Sequence, residues 1–443
     1  MPLSASQAVS LARDMLGVRD SERVRLEKIW QYIRNQQRLM WLPRTVPHEV
    51  REIAHISRVN VLKLVVNAPT QAMYVDGFRT RQSDDDEAVW EVWKRNRFEK
   101  RQIGVHRSAI TFGASYVTVL PGDPVAVLRG ASPRKMTVAY GEDDEWPIAA
   151  LENVGNGRWR LFDDEAVYRL RTTQGNNSRE SSFELISTNE HGMGVCPVVR
   201  YLFTDDLDQP VTGIVEDLIP LQDQINITTF GLLVAQHFGA FKQRYILGWL
   251  AETEEEKLKT SASRFWTFED HPQDIQIGEL NETDLNGYIA SREASLRHLA
   301  TISQTPAHEL LGQLVNLSAE ALAAAEASHR RAVTEIQTVM GEAHEQMLGL
   351  AGEEEGVEPD PFAEVIWRDT ESRSLAQVAD AFGKMVQMLG VPPQALWEKL
   401  PGLIPGVTHS DIDRWVELAR EGDAFAQLAA QLEQQAYEAA EES

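Results

Sequence analysis

The sequence predicts an α+β protein, on three observations. Helix-period apolar patterns fill the first stretch, the middle and the end of the chain. Between them, from about residue 115 to 203, short β-rich runs alternate with Gly, Pro, Asn and Asp turns. The composition is that of a folded chain, 43% hydrophobic and 25% charged over 443 residues.

The elements follow in order. "SERVRLEKIWQYIRNQQ" carries Val24, Leu26, Ile29 and Ile33 at near-helical spacing. "VPHEVREIAHISRVNVLKLVVNAPTQAMY" continues as helix through Val50, Ile53, Ile56, Val59, Leu62 and Val66, with Pro69 expected to end or kink it. "VDGFR" reads as a turn with flanking strands. "DDDEAVWEVWKRNRFEKRQIGVHRSAITFGA" reads as one helix with an acidic start. The runs "SYVTVLPGD", "PVAVLRGASP", "KMTVAYG", "PIAALENVGNGRWRLFDDEAVYRLRTTQGNN" and "CPVVRYLF" read as an antiparallel sheet ending near residue 213.

Then the pattern changes. "GIVEDLIPLQDQINITTFGLLVAQHFGAFKQRYILGW" spaces Leu218, Leu221, Ile225, Thr228, Leu232 and Ala235 along one helical seam, with Gly239 as a stop. An insert of short strand-like runs follows, holding Tyr245, Phe265, Trp266 and Phe268. A second helix places Leu285, Ile289, Leu296 and Leu299 on one side. A short apolar loop, 304–317, opens into a long helix from Ser318, where Ser can cap and Glu320 suits the helix dipole. "FAEVIWRD" reads as a strand, and the last 70 or so residues as helices with an acidic end.

The formal charge of −24, from 43 basic and 67 acidic residues, argues against sequence-specific DNA binding. No run of about 18 apolar residues suggests a membrane span, and the N-terminus lacks a signal-peptide pattern. The single Cys196 excludes an internal disulfide and reads as a buried structural thiol.

Catalytic signatures fail one by one. His308-Glu309 begins a zinc-protease motif, but the second His would fall at Gly312. "HGMGVCP" has Pro197 where a dinucleotide fingerprint needs Gly, "GASYV" lacks the last Gly of a nucleophile elbow, and there is no P-loop. A metal-dependent hydrolase using His308 and Glu309 with distant acidic partners is one alternative reading. No cofactor is expected.

The order of parts, with "VDGFR", the "W" and "N" of "VWKRN", "HRSAITFGASYVTVL", "EDLIPLQDQIN…LLVAQHFGAFKQRYILGW" and "SLAQVADAFGKMVQMLGVPPQALWEKLPG", resembles the tailed-phage portal proteins. The likeness is to siphophage members, especially those of actinobacterial phages, over about residues 55 to 420. The resemblance implies a ring of about twelve copies at one capsid vertex, in the virion, with a tunnel for double-stranded DNA in packaging and ejection. It implies docking of the terminase large subunit and a head-tail adaptor, and contact with major capsid and scaffold proteins. A minor capsid or adaptor protein, which would share the virion but lack the paired stem helices, is the other alternative reading.

By resemblance, residues 1–214 form an α+β wing, 215–238 and 284–303 two stem helices, and 239–283 a clip. Residues 304–317 form a tunnel loop, 318–373 the wing's long helix and strand, and 374–443 a helical crown. In the loop, Gln304, Thr305, His308, Glu309, Gln313 and Asn316 would face DNA, and Leu310, Leu311, Leu314 and Val315 would pack against a neighbouring loop. Tyr245, Phe265, Trp266 and Phe268 would serve subunit packing or partner docking in the clip. The loop holds no Lys or Arg. That departs from a phosphate grip and suits a duplex that must keep moving.

Overall fold

A computed structural model of the chain describes residues 1–38, 40–81, 83–141, 146–174, 181–207, 210–239, 244–247, 265–268, 276–279, 284–312, 319–368 and 375–392, with a few residues between 396 and 416. The chain divides into two compact units, 1–366 and 367–443.

Helix α1 (Ala5–Ile33) starts on a capping box. The Ser4 hydroxyl accepts from Gln7 N, and the Gln7 side chain accepts from Ser4 N. Ala8, Ala12 and Met15 bury its first half against a sheet, and Leu26 and Ile29 bury its second half. That second half is tied to α6 (Ile214–Gly239) by Arg25–Glu216 at 2.8 Å and by the Tyr32 hydroxyl on Asp223.

The expected single helix over 47–73 is two, α2 (His48–Ile56) and α3 (Leu62–Ala72). The break is imposed from far along the chain. Gln222 and Asn226, both buried on α6, hydrogen-bond the backbone of the linker: Val61 N to Gln222 Oε1, Gln222 Nε2 to Val59 O, and Val59 N to Asn226 Oδ1. These bonds replace the helical ones that the linker gives up. Pro69 does not end α3, which runs three residues beyond it, because Leu62, Val65, Val66 and Pro69 are all buried there and burial outweighs one lost bond.

Strand β1 (Val75–Arg79) replaces the expected turn. It pairs with β13 (Glu364–Trp367), supported by Arg79–Glu364 at 2.6 Å. The long helix expected next is split into α4 (Ser83–Arg95) and α5 (Phe98–Phe112), with Arg97 left-handed at φ 53°. Asn96 holds the break. Its amide donates to Val92 O and Ala126 O, and its Oδ1 accepts from Leu128 N.

Two antiparallel sheets follow, as expected of an α+β body. One has order β3-β2-β9, from β2 (Ala114–Leu120), β3 (Val127–Ala131) and β9 (Val198–Leu202). The other is a five-stranded meander of β4 (Met136–Tyr140), β5 (Pro147–Gly155), β6 (Arg158–Phe162), β7 (Ala166–Gln174) and β8 (Ser181–Glu190). One meander face carries Leu151, Trp159, Leu161, Tyr168 and Phe183 onto α1. The other face packs Ala150, Phe162 and Val167 with Val198 and Cys196 of the smaller sheet's side. Cys196 is buried, as expected, and burial pushes its thiol pKa well up.

The long helix α9 (Ala319–Glu354) lies against β9, β2 and α4. Its first residue follows Ser318, and the proposed cap lies outside the described residues. In the second unit, α10 (Leu375–Leu389) ends with Met388 and Leu389 exposed.

Candidate functional site

Helix α6 pairs with α7 (Asn286–Ile302) across a small insert. They are antiparallel. Tyr288, near the start of α7, meets Gly231, near the end of α6; a Cβ on Gly231 would come within 3.0 Å of the Tyr288 ring. At the other end Ser303 shares a hollow with Ile214 and Leu218. The buried seam of α6 differs from the expected one. Val215, Leu218, Ile219, Gln222, Ile225, Asn226 and Thr229 are buried, and no residue beyond Thr229 is. Yet that second half reads Phe230, Leu232, Leu233, Val234, Ala235 and Phe238. Ile227 is 54% exposed and Ile289 of α7 45%. Leu285 stands at the N-cap, so the buried face of α7 is Ser295, Leu296, Leu299 and Ala300.

The insert contributes three described strands, β10 (Arg244–Leu247), β11 (Phe265–Phe268) and β12 (Gln276–Glu279), in order β11-β10-β12. The parallel β10–β11 register sets Tyr245 opposite Trp266, Arg244 opposite Phe265 and Leu247 opposite Phe268. The four aromatic residues singled out from sequence are thus gathered on two adjoining strands.

The expected loop after α7 contains one turn of helix, α8 (Ala307–Leu311). Gly312 ends it at φ 65°, its N–H donating to His308 O at 2.9 Å. A left-handed residue here favours glycine. The position where a second zinc ligand would stand is therefore the helix stop. Among the described residues no group of three or more His, Cys, Asp or Glu side chains is placed to hold a metal ion. Gln304 and Glu309 are exposed, and His308, Leu310 and Leu311 are half-buried. Thr305 corrects the expectation. It is 4% exposed and its Oγ1 takes the Ser303 hydroxyl at 2.9 Å, so it braces the loop from within and faces no ligand. Gln313, Leu314, Val315 and Asn316 lie outside the described residues.

One buried polar cluster went unforeseen. His106 Nε2 of α5 meets His344 Nε2 of α9 at 2.8 Å, and His344 Nδ1 meets the Tyr201 hydroxyl at 3.0 Å. Trp93 and Phe98 set their rings against His344. Burial lowers the pKa of His106 to about 4 and that of His344 well below the usual imidazole range, His106 adding to the second effect. These groups come from α4, α5, β9 and α9, and no local spacing signals the meeting.

An α+β body that carries a helix, a three-stranded insert, an antiparallel second helix and a short turn into a long helix is a portal-type subunit. The chain belongs to the phage portal protein family, SPP1 Gp6-like, whose family model matches residues 17–425. Among solved structures it is similar to a chain of the virion of a native gene transfer agent particle, at 14% identity and TM-score 0.49, covering 80% of this chain and 92% of that one. It is also similar to a chain of the neck of the empty gene transfer agent particle computed with C6 symmetry, at 15% identity and TM-score 0.47, and of the native neck computed with C12 symmetry, at 14% and 0.46. Each covers 80% of this chain and 91% of that one. A search of curated proteins finds no match.

Proposed function

We propose that the protein works as a closed ring of about twelve copies at one capsid vertex of the virion. The ring is the channel for double-stranded DNA in packaging and ejection, and it has no active site of its own. The terminase large subunit and a head-tail adaptor dock on it, and major capsid and scaffold proteins surround it. The observation that carries this reading, beside family membership, is the apolar surface left on the paired helices. Ile227 and Phe238 of α6 and Tyr288 and Ile289 of α7 are exposed in a single chain. Apolar helix surface of this kind is stable when an adjacent copy covers it, and a repeated head-to-tail contact forms a ring when its rotation closes the circle.

In this reading residues 1–214 with 318–373 are the wing and 374–443 the crown. The stems are the two helices as observed, Ile214–Gly239 and Asn286–Ile302. The insert is the clip, with Tyr245, Phe265, Trp266 and Phe268 as contacts to a neighbour or partner. Residues 304–317 are the tunnel loop. Gln304, His308, Glu309, Gln313 and Asn316 face DNA, and Leu310, Leu311, Leu314 and Val315 pack between loops. The hydrolase reading has no support in the helix stop at Gly312.

Particle images of the purified protein should show rings, with a native mass of several hundred kilodaltons. Monomer alone across a wide concentration range, with no rings, would overturn the proposal. The loop has its own test. Gln313→Lys sets a circle of cations in the tunnel, and each cation near a phosphate strengthens salt-dependent binding. Rings should form normally while packaging or ejection slows, and the defect should ease as salt rises. Wild-type kinetics in that variant would remove residues 304–317 from the tunnel wall.

A further inference from the structure

The five-stranded sheet holds a charge pattern that the ring reading does not use. On β6 and β7, Arg158 stands opposite Arg171, and Arg160 opposite Arg169. Period-2 alternation puts all four on one face. It is the face that packs Phe162 and Val167 on the smaller sheet, continued past the end of that packing. Like charges directly opposite each other destabilise a strand pair. Two carboxylates offset part of this within the chain, and Glu184 of β8 stands directly opposite Arg171 on the same face. Glu152 sits 2.7 Å from Arg160 and is itself buried. Arg158, Arg169 and Arg171 are all exposed, and among the described residues the ion pair formed on this face is Arg160–Glu152.

The patch extends onto the smaller sheet. Partial burial lowers the pKa of Arg160, Glu152 opposes this, and Arg129 of β3 and Arg169 lower it further. Beside Arg129 lies a hollow of about 390 Å³ that Arg101 also lines. Arg101 is anchored through Nη1 on Leu128 O at 2.5 Å. The Ser108 hydroxyl in the same hollow is buried and takes no hydrogen bond from any described residue.

We propose that this arginine face binds the phosphate backbone of double-stranded DNA outside the tunnel. The inference rests on the reading that the protein handles DNA. The partner follows from the form of the array. Neighbouring strands set the arginines about 5 Å apart, and successive positions along a strand set them about 7 Å apart. A repeating line of identical cations suits a repeating line of identical anions better than scattered carboxylates. Guanidinium also binds phosphate through paired N–H donors, which lysine cannot match. The overall charge of −24 does not forbid this. At physiological salt the Debye length is about 8 Å, so distant carboxylates are screened while arginines touching phosphate are not.

A closed circular plasmid provides the test, because it cannot thread a closed ring and reports only on outer surfaces. The assembled wild-type protein should retain the plasmid at low salt and release it as salt rises. The triple variant Arg158→Gln/Arg169→Gln/Arg171→Gln should form rings, bind more weakly and lose salt dependence, by about 0.9 in the log–log slope for each lost phosphate contact. The matching triple Lys variant should recover part of the slope. If the wild-type ring does not bind the plasmid, or if the Gln variant binds as the wild type does, the proposal is wrong. It is also wrong if the Gln variant stays monomeric while the wild type forms rings, since the face would then belong to a neighbouring subunit. Absence of rings in the wild type would instead count against the ring, and the plasmid would still test the patch on the single chain.

Discussion

Acidification from pH 7 to pH 5 is expected to lower the unfolding temperature by several degrees, chiefly through His106 and His344. Their ring nitrogens meet at 2.8 Å, and burial of both rings favours the neutral forms in the folded protein. Neither reaches water. Charging His106 requires pH near 4, and His344 lies well below its usual value. In the unfolded chain each titrates near 6.5. Unfolding therefore takes up protons as pH falls below about 6.5, and the stability present above that pH drains away towards the folded pKa values. At 1.36 kcal/mol per unit, His106 alone accounts for about 3 kcal/mol across the whole window. Unfolding temperatures measured at several pH values, for the wild type and for a His106→Leu/His344→Met variant, check this. The variant should show a clearly flatter dependence between pH 7 and 5. Parallel curves would mean that the pair does not set the acid response.

Ile227→Glu should convert the ring to monomers. Ile227 is more than half exposed on α6, so a single chain loses little packing on substitution. In the ring, the carboxylate would enter the apolar face that an adjacent stem covers. An unpaired charge in such a contact costs several kcal/mol, and each 1.4 kcal/mol is a tenfold loss in association. Every interface of a closed ring repeats the defect. Native mass should fall towards the 49.8 kDa chain, with the far-ultraviolet circular dichroism of the wild type kept. Rings that persist would show that the stems pack through another face.

The parts of the site differ in how far they could be read in advance. Gly239 ends α6 as expected, and Gly312 closes the turn that a zinc motif would have needed to continue. Both are glycines, whose left-handed or terminal role is a local property. Thr305 carries no such signal. It reads as a polar loop residue, and only the fold around Ser303 buries it. The aromatic residues of the insert could be named, but the parallel pairing of Tyr245 with Trp266 could not, because register depends on strands that lie far apart in sequence.

The sequence by itself determined the α+β class, the alternation of sheet and helix, the presence of the long apolar helix before the insert though not its buried face, and the family. These rest on period, turn chemistry and order, which are carried by neighbouring residues. Tertiary structure decided the rest. The gap between α2 and α3 exists because Gln222 and Asn226, more than 160 residues on, supply its hydrogen bonds. The split between α4 and α5 falls at Arg97, with neither Gly nor Pro to mark it, because Asn96 binds the edge of β3. His106 and His344 stand 238 residues apart. The arginine face needs the register of β6 on β7 to align like charges. A backbone bond or buried ring is satisfied by whichever group packing brings within about 3 Å, and nothing in the spacing of near neighbours records which group that will be.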